Sequence, residues 1–127
     1  MFDFIGKALR TESTAFNPLV DAKGNTYSTP RLVHACFGMQ TETAEFTDAV
    51  KKSLFYGNPL DTTNLKEELG DALWYIAIAM DELDTNFETE MLRVIKKLKV
   101  RYPDKYSDLL AENRDLMAER TILDSRP

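Results

Sequence analysis

Two long segments with apolar residues at helical spacing, separated by the break Gly57-Asn58-Pro59, constrain the fold of this chain most. The first opens on Ser28-Thr29-Pro30, a hydroxyl cap followed by a proline in the first turn, and we expect a helix to about Tyr56. The second starts near Thr62 or Thr63. Because the break leaves only a short connection, the sequence predicts two helices that pack antiparallel.

Two further segments have the same helical character. Thr85-Asn86-Phe87-Glu88 has the pattern of a capping box, and Pro103 is expected to end the helix that it opens. A fourth amphipathic segment runs from Ser107 to Leu123. No stretch alternates at period two for long enough to predict a strand. The sequence therefore predicts an all-α protein, a four- to five-helix bundle.

The N-terminal part of the chain is less regular. Residues 1–10 predict a short amphipathic helix, and the polar residues 11–29 predict a loop or a loosely structured arm. We find no repeat, linker or second domain. We therefore expect a single domain over residues 1–127, with an N-terminal arm over 1–29 and a helical core over 30–123.

Composition and charge exclude several classes of protein. The 127 residues include 43% hydrophobic and 29% charged side chains, which fits one soluble globular domain. The net charge of −5 argues against binding to duplex nucleic acid, which selects basic surfaces. Cys36 is the single cysteine, so a reducing compartment is favoured, and its apolar neighbours predict core packing. We see no signal peptide and no apolar stretch near the roughly 20 residues of a membrane helix, so we expect a cytoplasmic protein without a membrane partner.

Four acidic residues form two pairs at helical spacing. Glu42 and Glu45 are three apart on the first long helix, and Glu68 and Asp71 repeat this spacing on the second. Antiparallel packing would bring the four carboxylates together, where repulsion and desolvation require a cation. Oxygen ligands without histidine or thiolate favour Mg²⁺ or Mn²⁺. From the pattern alone, solvated helix edges account for these acids as well as a cation site does.

Three ordered blocks of the chain carry a more specific signal. Residues 38–45 (GMQTETAE), 67–75 (EELGDALWY) and 97–103 (KLKVRYP) together resemble the MazG-like family of all-α nucleotide pyrophosphohydrolases. The family signature is E-E-x-x-E, a spacer and E-x-x-D, followed by K-x-x-x-R-Y-P. The resemblance extends over residues 30–106. Within the family, the chain is similar to the short, single-domain members often carried by phages. Thr41 stands where the family's first glutamate is frequent.

The resemblance implies a Mg²⁺-dependent enzyme in which Mn²⁺ can substitute. Because Thr41 replaces the first glutamate, Glu42 or Glu45 is expected to be the catalytic carboxylate that activates water. The resemblance also implies that Lys97 and Arg101, one helical turn apart, bind the phosphates of the substrate. The implied metal ligands are Glu42, Glu45, Glu68 and Asp71.

The implied reaction is hydrolysis of a (deoxy)nucleoside triphosphate at the α-phosphorus, which gives a monophosphate and pyrophosphate. The sequence leaves the base open, with dGTP and dUTP among the candidates and phosphoribosyl-ATP as a related alternative. The second long helix is apolar on several sides, which predicts association of copies. The resemblance suggests a homodimer or a dimer of dimers, in a bacterial or phage-infected cell.

Other residues are weaker candidates. His34, Asn113 and Arg114 are expected to contact the substrate in the enzyme hypothesis, although each also suits an ordinary structural role. The alternative from a different class is a non-catalytic helical module that oligomerises and binds a protein partner through the helix of Trp74. This alternative predicts that the four acids face solvent and that metal leaves the stability unchanged.

Overall fold

The computed structural model describes residues 3–125, and the regular structure in this part of the chain is almost all helical. Its elements are α1 (Phe4–Leu9), β1 (Leu19–Val20), β2 (Thr26–Tyr27), α2 (Thr29–Tyr56), α3 (Thr62–Glu82), α4 (Phe87–Arg101), α5 (Asp108–Glu112) and α6 (Leu116–Asp124). The all-α prediction is confirmed. The two longest helices, α2 and α3, pack as an antiparallel hairpin, and α4 makes its main contact with α6. None of the helices described is both long and apolar enough to cross a membrane.

Local signals set the ends of α2 and α3. The Ser28 hydroxyl accepts a hydrogen bond from the Arg31 amide at the start of α2. Gly57 ends this helix in the left-handed region at φ 71°, and its N–H donates to the Ser53 carbonyl. Glycine takes this conformation without a steric penalty, so the predicted end of the helix has a clear cause. The Asp61 carboxylate then caps α3.

Charge ties the open end of the α2–α3 hairpin. The Arg31 guanidinium donates to Asp81 at 2.6 Å and to Glu82 at 2.9 Å. The backbone N–H of Ser28 also donates to the Glu82 carboxylate. The first turn of α2 is therefore held against the last turn of α3, at the end opposite the connection between the two helices.

A small residue permits close packing in the middle of the hairpin. Ala35 and Gly38 are the buried residues of α2. The Tyr75 ring of α3 occupies the space that a side chain at position 38 would fill. The absence of a side chain at Gly38 therefore sets the distance between the two helices.

An ion-pair cluster joins α4 to the C-terminal helices. The Arg101 guanidinium donates to both carboxylate oxygens of Glu119, at 2.8 and 2.6 Å. Arg114 donates to the same carboxylate at 2.8 Å. Hydrogen bonds from Arg101, and then from Arg114, hold the pKa of Glu119 well below its ordinary value although the side chain is buried. This carboxylate therefore stays ionised inside the α4–α6 unit.

The predicted fourth helix is wrong as a single element. α5 ends at Glu112, and α6 starts only after Asp115, whose carboxylate accepts a hydrogen bond from the Ala118 amide at 2.9 Å. Asparagine and aspartate compete with the backbone for hydrogen bonds, so Asn113 and Asp115 interrupt a helix that apolar spacing alone continues. This break gives six helices in residues 3–125, one more than the predicted four to five.

The residues at the start of α4 differ from the capping-box pattern. Asn86 is the cap, and its side chain accepts a hydrogen bond from the Thr89 amide at 3.0 Å. The Thr85 hydroxyl instead donates to the Glu90 carboxylate at 2.6 Å. Threonine and asparagine are both good caps, and the helix here uses the second of the two.

The predicted loop in the N-terminal arm contains a small antiparallel hairpin of β1 and β2. In its turn, the Asp21 carboxylate accepts hydrogen bonds from the Asn25 side chain and backbone and from the Tyr27 hydroxyl. Gly24 takes φ 89° in the same turn. With two residues in each strand, the hairpin is too short to show alternation in the sequence.

One chain leaves an unusual amount of apolar surface exposed. In the described part, Ala35 is the only buried hydrophobic residue, at 0% exposure, whereas Leu73 and Trp74 are more than half exposed. Cys36, predicted for the core, is also exposed, because α3 packs on the face of α2 that carries Ala35. The accessible surface is 10486 Å². A compact monomer of this mass exposes roughly 6,900 Å².

The packing at Gly38 gives a stability prediction. We expect Gly38→Ala to destabilise the chain, because its methyl group overlaps the Tyr75 ring. Overpacking costs about 1–3 kcal/mol, which exceeds the gain of about 0.8–1 kcal/mol from alanine's helix propensity. Urea unfolding at one fixed protein concentration measures the difference.

Gly70→Ala is the matched control. A methyl group there meets no atom within 4 Å, so we expect only the helix-propensity gain. Equal stability of the two variants would contradict the role assigned to Gly38.

Candidate active site

Three of the four predicted acids converge in the α2–α3 hairpin. Glu42 comes from α2, and Glu68 and Asp71 come from successive turns of α3. Each offers a carboxylate oxygen, and these oxygens lie within 4.8 Å of one another. Glu68 is buried, Glu42 is half-buried and Asp71 is exposed, so the cluster has one open side. We refer to these three residues as the acid cluster.

Glu45 lies next to the acid cluster and outside the group of mutually close oxygens. It lines a cleft of about 430 Å³ together with Glu68, between α2 and the start of α3. Lys52 also lines this cleft, but its ammonium group is paired with Asp48 at 2.5 Å. Hydrogen bonds from Lys51 and Lys52 lower the pKa of Asp48 to about 2, so both lysines are paired with this ionised carboxylate.

The acid cluster has no protein counter-charge. In residues 3–125, no lysine or arginine forms an ion pair with Glu42, Glu68 or Asp71. Desolvation raises the pKa of Glu42, and its hydrogen bond with Glu68 and the charges of Glu45 and Asp71 act in the same direction. A hydrogen bond from the Thr41 hydroxyl lowers it in part. A carboxylate whose pKa is raised by crowding with other carboxylates is the electrostatic setting that a bound cation relieves.

A side chain that the sequence analysis did not select contacts the acid cluster. The Asn64 amide nitrogen donates to Glu68 Oε1 at 2.5 Å. Asn64 precedes Glu68 by four residues, a spacing that places the two side chains on one helix face. This spacing is the sequence signal by which Asn64 could have been identified. The bond occupies one oxygen of the buried carboxylate and fixes the orientation of the other.

The geometry of the acid cluster fits a hard divalent cation. Octahedral Mg²⁺ binds oxygen at about 2.1 Å, so two of its ligands are at most about 4.2 Å apart. The cluster's oxygens, within 4.8 Å, need only small side-chain adjustments to meet this limit. The donor set contains oxygen alone, which favours Mg²⁺ or Mn²⁺ over softer metals.

An aromatic group adjoins the acid cluster on its open side. Trp74 and Tyr75 line a pocket of about 340 Å³ together with Glu42 and Asp71. The two rings are 5.0 Å apart in an edge-to-face arrangement. His34, a predicted substrate contact, packs edge-to-face against both, at 6.3 Å from Trp74 and 5.5 Å from Tyr75. His34 therefore packs against this aromatic pair and is not among the residues that line the pocket.

The remaining predicted substrate contacts lie in the α4–α6 unit. Arg101 and Arg114 both bind Glu119, and the Asn113 side chain donates to the Leu109 carbonyl at 2.9 Å. Lys97 lies on α4, one turn before Arg101. Because α4 packs mainly on α6, one chain does not bring these side chains together with the acid cluster.

The fold and the site define an all-α protein with a cluster of three carboxylates beside an aromatic pocket. A comparison with protein families identifies it further, since residues 37–106 match the model of the MazG nucleotide pyrophosphohydrolase domain. This match covers more than half of the chain, and the chain belongs to that family. Family members are hydrolases that cleave phosphoric anhydrides in nucleotides. Searches of curated proteins and of solved structures give no significant match.

The acid cluster gives a prediction about stability. We expect Mg²⁺ to raise the melting temperature of the native chain, because a ligand that binds only the folded state at 100 times its Kd stabilises it by about 2.7 kcal/mol. Glu68→Gln should remove this rise, while its stability without metal should not fall, because one repelling charge is lost. Thermal unfolding with and without Mg²⁺ measures both effects.

The control is Glu67→Gln, which removes the same charge from an exposed position one residue earlier. It should keep the full response to Mg²⁺. A Glu68→Gln variant that responds to Mg²⁺ like the native chain would exclude Glu68 as a ligand.

Proposed function

We propose that this chain hydrolyses a nucleoside triphosphate, (d)NTP, to the monophosphate and pyrophosphate in a Mg²⁺-dependent reaction. The observation that carries the proposal is the convergence of Glu42, Glu68 and Asp71 without a protein counter-charge. A triphosphate is itself a polyanion, so substrate and acid cluster can meet only with cations between them. Family membership supports the reaction class.

The acid cluster, with Glu45 beside it, would hold the cation. When bound there, a divalent cation, Mg²⁺ or in its place Mn²⁺, would neutralise the triphosphate and supply positive charge for the departing pyrophosphate. Asn64 fixes the orientation of Glu68 through its hydrogen bond to Oε1. The buried position of Glu68 keeps water away from one side of the cluster.

Glu42 and Glu45 are the proposed catalytic carboxylates. A carboxylate oxygen accepts one proton from the attacking water, and the oxygen of that water bonds to the α-phosphorus. The bond from that phosphorus to the bridging oxygen breaks, and pyrophosphate leaves with the electron pair. Glu45 is the stronger candidate for this role, since it lies beside Glu68 in the cleft and outside the group of mutually close oxygens.

Lys97 and Arg101 are proposed to bind the phosphates, as the K-x-x-x-R-Y-P motif implies. Among the contacts described, the bond to Glu119 uses Nε and Nη2 of Arg101, so Nη1 can donate to a phosphate. Since one chain keeps α4 apart from the acid cluster, we propose that these cations reach it from another copy. His34, Asn113 and Arg114 remain proposed contacts to the rest of the nucleotide.

The exposed apolar surface supports assembly into a homodimer or a homotetramer. The chain exposes 10486 Å², about 3,600 Å² more than a compact monomer of its mass. Stable, obligate interfaces bury about 2,000–5,000 Å² in total, or about 1,000–2,500 Å² on each chain, so association with further copies would cover much of the excess. We further propose a deoxynucleotide substrate such as dGTP or dUTP in a bacterial or phage-infected cell, with phosphoribosyl-ATP as the alternative.

Product analysis tests the reaction. We expect the native chain with Mg²⁺ to convert at least one common NTP or dNTP to equal amounts of monophosphate and pyrophosphate. Glu68→Ala should reduce turnover by roughly 100-fold or more, since even indirect contacts to metal ligands are worth about 10–100-fold. Chromatography of the nucleotide and a pyrophosphate assay give the two products.

Glu67→Ala serves as the control and should keep near-native turnover. Release of orthophosphate with a diphosphate would contradict attack at the α-phosphorus. No turnover of any triphosphate would favour the non-catalytic module.

Light scattering after size exclusion tests the assembly. At micromolar concentration we expect a mass of two or four chains, because the exposed apolar surface of one chain is too large for a stable monomer. A mass of one chain across the concentration range would contradict the proposed arrangement of Lys97 and Arg101.

A further inference from the structure

We propose that the exposed indole of Trp74 is the surface on which the nucleobase of the substrate stacks. This inference rests on the proposed function and adds the position of the base. It is carried by the pocket that Trp74 shares with Glu42 and Asp71, two members of the acid cluster.

The position of Trp74 along α3 suits this role. Trp74 follows Asp71 by three residues, so the two side chains lie on neighbouring turns and about 4.5 Å apart along the helix axis. When the phosphates of a nucleotide are held at the acid cluster, the pentose extends over a comparable length. The base then lies at the level of the indole, in the pocket of about 340 Å³.

The indole is held in place and remains accessible. Tyr75 supports one side at a centroid distance of 5.0 Å and an interplanar angle of 88°. His34 supports it at 6.3 Å and 79°. Tyr75 is in turn packed over Gly38, so this support belongs to the rigid middle of the hairpin. With 59% of Trp74 still exposed, a face of the indole is open to a second ring.

The aromatic side chains of the pocket favour a ligand with a flat, uncharged ring, and the neighbouring acid cluster favours one whose ring is joined to a cation-bound anion. A base stacked on an aromatic side chain needs no specific hydrogen bonds, because every base has a π-face. The carboxylates of Glu42 and Asp71 repel a bare phosphate, so only a cation-bound phosphate approaches from that side. A nucleotide satisfies both demands, whereas a second copy of the chain covering Trp74 would use it as an apolar contact.

Intrinsic fluorescence tests the inference directly, because the chain has one tryptophan. We would titrate the native protein in Mg²⁺ with α,β-imido analogues of the common NTPs and dNTPs, which resist cleavage at the proposed bond. Inorganic tripolyphosphate, which has no base, is the comparison probe. We expect quenching by at least one nucleotide analogue and none by tripolyphosphate, although tripolyphosphate should displace the analogue.

Two substitutions separate stacking from packing. Trp74→Leu keeps an apolar side chain and removes the π-face, and Trp74→Phe keeps an aromatic ring. By calorimetry, Trp74→Leu should weaken binding of the analogue by roughly 5- to 150-fold, the range for loss of one base–aromatic stack. Trp74→Phe should retain much of the affinity, and tripolyphosphate should bind both variants within about twofold of the native value.

The outcomes distinguish this inference from the proposed function. If the native protein releases pyrophosphate but Trp74→Leu binds the analogue normally and no analogue quenches fluorescence, the inference is overturned and the function stands. Equal weakening of analogue and tripolyphosphate, or dissociation of Trp74→Leu into single chains, would also overturn it in favour of packing. Should the variant fail to fold, fluorescence of the native protein still decides.

Discussion

The close approach of α2 and α3 at Gly38 determines where the carboxylates lie. Because the Tyr75 ring fills the space above Gly38, the two helices are near enough for Glu42 to meet the acids of α3. Packing along the hairpin thus holds like charges together, and the raised pKa of Glu42 reflects the resulting desolvation and repulsion. In the proposed function, a cation bound at the acid cluster would recover free energy that helix packing stores in this repulsion.

The sequence predicts those features that depend on neighbouring residues. The limits of α2 follow from the caps at Ser28 and Gly57, and Asp61 caps the start of α3. The helical spacing within each acid pair predicts that its two side chains share one face of their helix. Features that depend on long-range packing were not predictable. The ion pairs of Arg101 with Glu119 depend on how α4 packs on α6, which periodicity does not specify. The break near Asn113 was missed because apolar spacing continues through it.

Arg101, Arg114 and Glu119 form a second charged unit that differs from the acid cluster in one respect. Here opposite charges are paired, and the buried carboxylate remains ionised because two guanidinium groups donate to it. These ion pairs make the unit a structural connection between α4 and α6, and two guanidinium groups against one carboxylate leave it with net positive charge. Unbalanced charge in the hairpin creates a requirement for a ligand. In the proposed function, the chain would thus separate the part that holds a cation from the part that attracts an anion.

The short connection over residues 57–61 has a consequence for the order of folding. Contacts between α2 and α3 close only a small loop, so little chain entropy opposes them, and such local contacts form early and fast. Association of copies is a bimolecular event whose rate depends on protein concentration. A newly synthesised chain is therefore expected to acquire the geometry of its acid cluster while still alone. In the proposed assembly, it would cover its apolar surface only when a second chain arrives.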